Sequence, residues 1–393
     1  MVQNRVADRM SLLHTETAFS IMARANALEA QGKSVVHLEI GQPDFKTPQN
    51  IIDAACKALN EGKTGYTPTA GIVPLREAIA KHCRDYKKVD ADMEEVVVVP
   101  GGKPIMFYTL LMLAQPGDEV IYPNPGFPIY ESVVKFSGAK AVPMPLLEKK
   151  DFRVDLEQLK RDINEKTRLI IVNNPGNPTG GMLSQEDIVA IADMVRGKGI
   201  YILSDEIYDR ITFEGQPLSI ASLPGMKDQT IILDGFSKTF AMTGWRLGFG
   251  VMNKELAGHM TMLMANSNSC AASMTQWAAI EALQGPQDAV HKMVAAFKER
   301  RDYLIEALNK IDGVHCVMPQ GAFYAFPNIS SFGLSSAEFA DRLLEEGGVA
   351  AGGGAAFGSF GEGFIRLSYA NSLDNLKIAV ERIDRFTQTL KKG

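Results

Sequence analysis

Four consecutive valines, Val96 to Val99, run straight into Pro100-Gly101-Gly102-Lys103 and a helix-like segment. The same pattern, a short apolar run that empties into a polar or glycine-rich turn, recurs four more times. Glu119 to Tyr122 ends in Pro123-Asn124-Pro125-Gly126-Phe127, and Arg168 to Val172 ends in Asn173-Asn174-Pro175-Gly176-Asn177-Pro178-Thr179-Gly180. Tyr201 to Leu203 ends in Ser204-Asp205-Glu206-Ile207-Tyr208, and Ile231 to Leu233 leads into Gly235-Phe236-Ser237-Lys238. Short apolar runs bounded by turn residues read as buried strands. Strand and helix patterns alternate from about residue 46 to 285, which predicts an α/β fold with a doubly wound, mostly parallel or mixed sheet. Such sheets place ligands beyond the carboxyl ends of their strands, so five polar turns at one edge predict one built site.

The flanks carry a different pattern. A helix is predicted from about Thr15 to Gln31, followed by an extended Val35 to Ile40. After Gly285-Pro286, the residues Val290, Met293, Val294, Phe297, Leu304 and Leu308 recur at near-helical spacing, with an apolar stripe one face wide. His315 to Met318, Gly321 to Phe326 and Phe364 to Ser368 read as strands; Ser335 to Glu346 and Ser372 to about Leu390 read as helices. The expected organisation is therefore an arm with part of a small domain (1–45), a large domain (46–285) and a small α+β domain (286–393). Gly352-Gly353-Gly354 is the most permissive stretch of backbone, and hinge, close approach to a ligand and plain loop packing all remain open for it.

The strand-end turns hold the chemistry. Lys238 is followed by a charge-free stretch up to Arg246, a setting that predicts a shielded site. An amine that must form a covalent imine has to be unprotonated for part of its cycle, which desolvation or a nearby cation achieves. Two glycine motifs fail inspection. Gly102-Lys103 lacks the earlier glycine and the following Ser or Thr of a P-loop, and Phe357 occupies the small-residue position that would complete a dinucleotide fingerprint from Gly352.

Together these segments resemble the pyridoxal-phosphate-dependent aminotransferases of fold type I, in the class I and II group with the bacterial and archaeal aspartate and aromatic enzymes. The likeness runs from Leu38-Glu39-Ile40-Gly41-Gln42-Pro43-Asp44-Phe45 to Arg366-Leu367-Ser368-Tyr369-Ala370 and rests on the Lys238 segment, Asn177-Pro178-Thr179-Gly180 and Ser204-Asp205-Glu206-Ile207-Tyr208. It implies a large domain with a seven-stranded-type sheet plus a smaller α+β domain, and pyridoxal 5′-phosphate as cofactor. Lys238 would hold that cofactor as an imine and then move the substrate's proton. Asp205 would face the pyridine nitrogen, Asn177 and Tyr208 would donate to the ring's 3′ oxygen, and Phe127 would lie against the ring face. Gly102 and Lys103, mainly through backbone N–H groups at a helix start, with Ser237 and Arg246, would bind the phosphate. Many relatives have a serine three residues before the lysine; here it is Gly235, which removes one expected hydroxyl and shifts weight to Ser237. Arg366 would pair with the substrate α-carboxylate, with the Gly41 N–H and Asn177 beside it. Tyr66 would reach the phosphate in a neighbouring subunit, making the enzyme at least a homodimer with a shared site.

The implied activity is transfer of an amino group from an L-amino acid to a 2-oxo acid, with 2-oxoglutarate as the expected acceptor and aspartate, aromatic or broad donor specificity. A β-lyase, decarboxylase or racemase could use the same lysine and aspartate, and a non-catalytic cofactor-binding regulator is the reading from another class. Composition agrees with an enzyme: 393 residues with 46% hydrophobic content can bury a large core. A net charge of −5 with interleaved signs argues against nucleic acid as a partner. The four cysteines, Cys56, Cys83, Cys270 and Cys316, show no metal spacing and read as reduced thiols, so no metal and a cytoplasmic setting are expected. The start of the chain, with Asn4, Arg5, Asp8 and Arg9, lacks an apolar secretory core. Residues 256–280 carry no Asp, Glu, Lys or Arg, but their Asn, Ser and Gln content points to a subunit interface rather than a membrane span.

Overall fold

All five expected strands form in the computed structural model, which describes residues 6–391; Asn4, Arg5 and the last two residues lie outside the described residues. Along the chain the strands are β1 (Val36–His37), β2 (Val96–Val99), β3 (Glu119–Asn124), β4 (Lys140–Leu147) and β5 (Arg153–Val154), then β6 (Thr167–Asn173), β7 (Tyr201–Asp205), β8 (Thr230–Gly235) and β9 (Gly248–Val251). β10 (Tyr324–Ala325), β11 (Val349–Ala350), β12 (Gly352–Gly353) and β13 (Ile365–Ser368) follow. The large sheet has the order β2-β9-β8-β7-β6-β3-β4-β5. Neighbours from β8 through β4 are parallel, while β9 runs antiparallel to both β2 and β8, so β2 points the same way as β8. The five predicted strand ends therefore share one edge.

Both faces of this sheet are covered. Val97 and Val99 pack on one side with Val120, Leu169, Leu203 and Ile231, while Val96 and Val98 pack on the other with Ile232 and Phe249. Side chains alternate across a strand, so a run of four buried valines needs apolar cover on each face. A third cluster ties Val36 and Leu38 to Phe297, Leu304, Phe339, Leu367 and Ile383, joining the amino-terminal arm to the carboxyl-terminal third. The helix Asp288–Leu308 supplies much of that core.

The sheet differs from the seven-stranded expectation by one short hairpin partner, β5, which pairs with Leu146 and Leu147 of β4. β4 was not legible because Pro143 and Pro145 interrupt it. Two residues apart, they withdraw N–H groups from the same side of the strand, beyond the reach of the two-residue β5. β9 was hidden by its glycines. A Cβ on Gly248 would meet the Gly101 and Gly102 backbone at 2.7 Å, so glycine there lets the loop after β2 lie on the sheet.

The carboxyl-terminal strands are shorter than expected. His315 to Met318 makes only an isolated bridge between His315 and Asn328. The Asn309 amide takes both backbone groups of Cys316, at 2.8 and 3.0 Å, which a strand partner would otherwise use. Gly321 to Phe326 contracts to β10, because Gly321 and Ala322 donate instead to Gly180 and Ile211 carbonyls. The predicted helix Ser335–Glu346 is α-helical over Ser336–Arg342 and closes in a wider turn, Leu343–Gly347. Gly352 pairs with Arg366, and a Cβ on Gly353 or Gly354 would meet backbone oxygens at 2.9 and 2.0 Å, so of the three readings of this run close backbone packing is what is found. Among the described residues no helix is long and apolar enough to cross a membrane.

Candidate functional site

At the common strand edge lies a cavity of about 710 Å³, whose wall includes Gly41, Gly102, Lys103, Phe127, Asn177, Asp205, Tyr208, Ser237, Lys238, Arg246 and Arg366. Every site residue expected from sequence is there except Tyr66, which is 93% exposed and outside its own chain's cavity.

Lys238 sits one turn past β8, held by the Phe236–Phe240 packing around it, and its Nζ donates to the Gly41 carbonyl. Burial pushes its amine down to about 8; Arg366, Lys103 and Arg246 push the same way and Glu16 opposes them. An ammonium near this pH releases its proton readily. Asp205 ends β7 and is held from two sides: Tyr130 Oη donates to Oδ2 at 2.5 Å and the Ile207 N–H to Oδ1 at 3.2 Å. Burial raises its carboxyl to about 6 against those two hydrogen bonds.

Tyr208 shares a 2.8 Å hydrogen bond with Tyr324, whose hydroxyl lies 2.2 Å from where a Cβ on Gly41 would stand. Glycine at 41 is thus required for Tyr324 to reach Tyr208. Arg366, on β13, is clamped between the Tyr324 and Phe357 rings, each 4.7 Å from its guanidinium carbon. Its Nη1 donates to Asn177 Oδ1 at 3.1 Å and its Nη2 to the Glu39 carbonyl, while the buried Nε has no partner among the described residues. Asn177 accepts from Arg366 through its oxygen, which leaves its amide hydrogens to donate elsewhere.

The anion cradle is built by β2 and the helix Lys103–Leu113. Gly101 adopts φ +81°, and a Cβ there would meet Arg246 Nη2 at 2.1 Å, so the glycine admits the guanidinium against the helix start. The first N–H groups of that helix have no intrahelical acceptors. The expected shielding holds for Ser237 and Met242 but stops short of Gly244 and Arg246, which are exposed at the rim.

Several residues here were not anticipated. Tyr130 and Tyr324 carry no local motif: Tyr130 lies three residues past the turn that ends at Phe127, and Tyr324 lies inside the expected strand Gly321 to Phe326. Behind the cavity floor, buried Lys87 pairs with Glu206 Oε2 at 2.9 Å, Asp234 Oδ2 at 2.8 Å and Asp209. His82, Asp209 and Asp234 lie close enough together to resemble a metal site, but the Lys87 ammonium already takes both carboxylates.

A buried lysine of low proton affinity, a buried carboxylate, an anion cradle at a helix start and a clamped arginine, all at the carboxyl edge of a doubly wound sheet, define a Schiff-base enzyme that handles a phosphorylated cofactor and a carboxylate substrate. The family model described as aminotransferase class I and II matches residues 33–383. The chain is 41% identical over 391 residues to the aspartate aminotransferase of Geobacillus stearothermophilus, covering 98% of this chain and 99% of the relative. It is 36% identical over 390 residues to aromatic-amino-acid aminotransferase 2 of Thermococcus litoralis, with 98% and 99% covered. The solved structure of Thermus thermophilus aspartate aminotransferase with maleate superposes with a TM-score of 0.93 at 36% identity, over 98% and 100% of the two chains. This chain belongs to the class I and II aminotransferases: it is a pyridoxal-phosphate-dependent transferase of amino groups acting on amino and oxo acids.

The donor set fits pyridoxal phosphate. Arg366 Nε has no partner among the described residues, the helix start after Gly101 with Arg246 beside it presents donors and positive charge to a phosphate, and the buried Asp205 carboxyl suits a protonated pyridine nitrogen.

Proposed function

We propose that this enzyme moves the amino group of an L-amino acid to a 2-oxo acid such as 2-oxoglutarate in two half-reactions through one cavity, with Lys238 as its catalytic residue. Bound pyridoxal phosphate supplies the electron sink for the pair released when the substrate Cα–H bond breaks. The observation that carries the reading is the Lys238 amine, brought down to about 8 within the cavity that also holds Asp205 and Arg366. Lys238 Nζ would take the proton from the substrate Cα and hold it for return. With the cofactor bound, Asp205 would keep a proton on its pyridine nitrogen, Tyr208 and Asn177 would donate to its 3′ oxygen, and Phe127 would lie against its ring. Gly102 and Lys103 backbone N–H groups, Ser237 and Arg246 hold the phosphate, and Arg366 orients the substrate α-carboxylate beside Gly41 and Asn177.

The organisation proposed with it is a large cofactor domain at 46–285, flanked by an arm at 1–45 and a small domain at 286–393. The shared core of Val36 and Leu38 with the carboxyl-terminal third supports that division. A cytoplasmic homodimer is the proposed assembly, with Tyr66 serving the neighbour's phosphate; exposed Tyr66 and Met262 support a covered face. The test is a panel of amino donors with 2-oxoglutarate as acceptor, reading the oxo-acid product. Oxo-acid and glutamate forming in equal amounts support transamination; loss of carbon dioxide or of a β-substituent, or racemised donor, replaces it with one of the other chemistries of this fold.

A further inference from the structure

The cavity wall holds four cations, and three are committed. Lys238 is the reacting amine, Arg246 lies against Gly101 at the anion cradle, and Arg366 is bound to Asn177 and Glu39 between two rings. The fourth is Lys103. Its backbone opens the helix at the cradle, but its side chain turns into the cavity mouth, with Nζ 5.4 Å from the centre of the Phe127 ring. That ammonium forms an ion pair with Glu16, from the segment just before the helix Ala18–Ala30. Glu16 and Asp205 are the cavity's two carboxylates, and Glu16 is the more enclosed partner of its pair, 22% exposed against 52% for Lys103. The same cavity has an apolar part to its lining, which includes Ala18, Phe19, Ile40 and Met106.

We propose that Glu16 is a specificity-determining residue that neutralises Lys103, so that the enzyme selects monocarboxylic amino acids with apolar side chains over dicarboxylic ones. This rests on the transamination reading above. A second carboxylate on the substrate side chain meets an ammonium that already has a partner. It must either displace Glu16 or sit beside it, and two carboxylates then compete for one cation. An apolar side chain leaves the pair intact and covers Phe19 and Met106. Donor and acceptor use the same cavity, so 2-oxoglutarate as acceptor must draw Lys103 away from Glu16, whereas an apolar donor leaves the pair in place.

The experiment compares L-leucine, L-phenylalanine and L-aspartate as donors to the holoenzyme and to its Glu16→Gln variant, together with binding of the unreactive probes succinate and 3-phenylpropanoate measured by calorimetry. The wild type is expected to favour the apolar donors in kcat/KM, and E16Q to shift the aspartate-to-leucine ratio toward aspartate by at least about tenfold, since like charges placed together are strongly selected against. Succinate should gain affinity relative to 3-phenylpropanoate in the same variant. A wild type that prefers aspartate, or an E16Q variant with unchanged ratios in both assays, overturns the assignment while leaving transamination intact. Failure of all three donors, with no oxo acid formed, instead removes the reading on which it rests.

Discussion

Tyr130 donates its hydroxyl hydrogen to Asp205 Oδ2 at 2.5 Å, and both side chains are buried. The tyrosine reaches from the helix Ile129–Ser137 to the end of β7, so the carboxylate proposed to face the cofactor nitrogen is fixed by an element outside its own strand. Burial raises Asp205 to about 6 from 3.8. A raised folded-state pKa means that its contribution to stability is present below the unfolded value near 4 and is lost as pH rises through about 6. In the cofactor-free protein Asp205→Asn should therefore raise the melting temperature at pH 7.5, by an effect on the order of 2 kcal/mol, and have little effect at pH 4. In the loaded enzyme the same change should lower kcat by on the order of a hundred- to a thousandfold, the scale of losing one preorganised charge at the reacting group. Thermal melts of both forms at the two pH values check the first point, and steady-state rates the second.

Arg366→Ala should damage the specificity constants for amino acid and oxo acid together, by roughly a hundredfold, because a charge-assisted pair to the α-carboxylate is common to both. Kinetics of the two half-reactions measure this. Equal constants in variant and wild type would remove the carboxylate role.

Lys87→Met should be strongly destabilising, by about 3–5 kcal/mol, because it leaves Glu206, Asp209 and Asp234 buried without their cation. Denaturant unfolding of the purified variant reads this directly. A midpoint close to that of the wild type would mean that the three carboxylates find other partners or are protonated.

Tyr66 lies outside the cavity that holds Lys238 in its own chain and is exposed, and the proposed dimer gives it a role. Mixing Tyr66→Phe and Lys238→Ala proteins under conditions of shown subunit exchange should yield activity well above that of either parent. One site of each mixed dimer would then have both residues. Exchange without recovery would place Tyr66 outside catalysis.

The site was legible in outline because its members follow strand ends, and a strand end is announced by an apolar run and a turn. Asp205, Asn177 and Lys238 lie in turns marked that way, and the family likeness then implied roles for Asp205 and Asn177. Arg366 needed the family likeness, since Phe364 to Ser368 alone reads as any short strand. Tyr130, Tyr324 and Glu16 stayed hidden because their contacts are made across elements, over separations of 75 residues for Tyr130–Asp205, 116 for Tyr208–Tyr324 and 87 for Glu16–Lys103. The fold shows the same divide. β2 declared itself through four valines, whereas β4 was masked by prolines and β9 by glycines whose missing side chains make room for Gly101, Gly102 and Ile105. His315 to Met318 looked like a strand until the Asn309 amide took its backbone groups.

The claim on which the rest depends is that Lys238 carries the cofactor. Borohydride reduction of the loaded enzyme, followed by mass mapping of the peptide that bears the trapped pyridoxyl group, tests it in one measurement. The adduct is expected on Lys238 in the wild type and not at residue 238 in Lys238→Ala, with transamination abolished. An adduct on any other lysine, or a Lys238→Ala enzyme that still turns over normally, would contradict it.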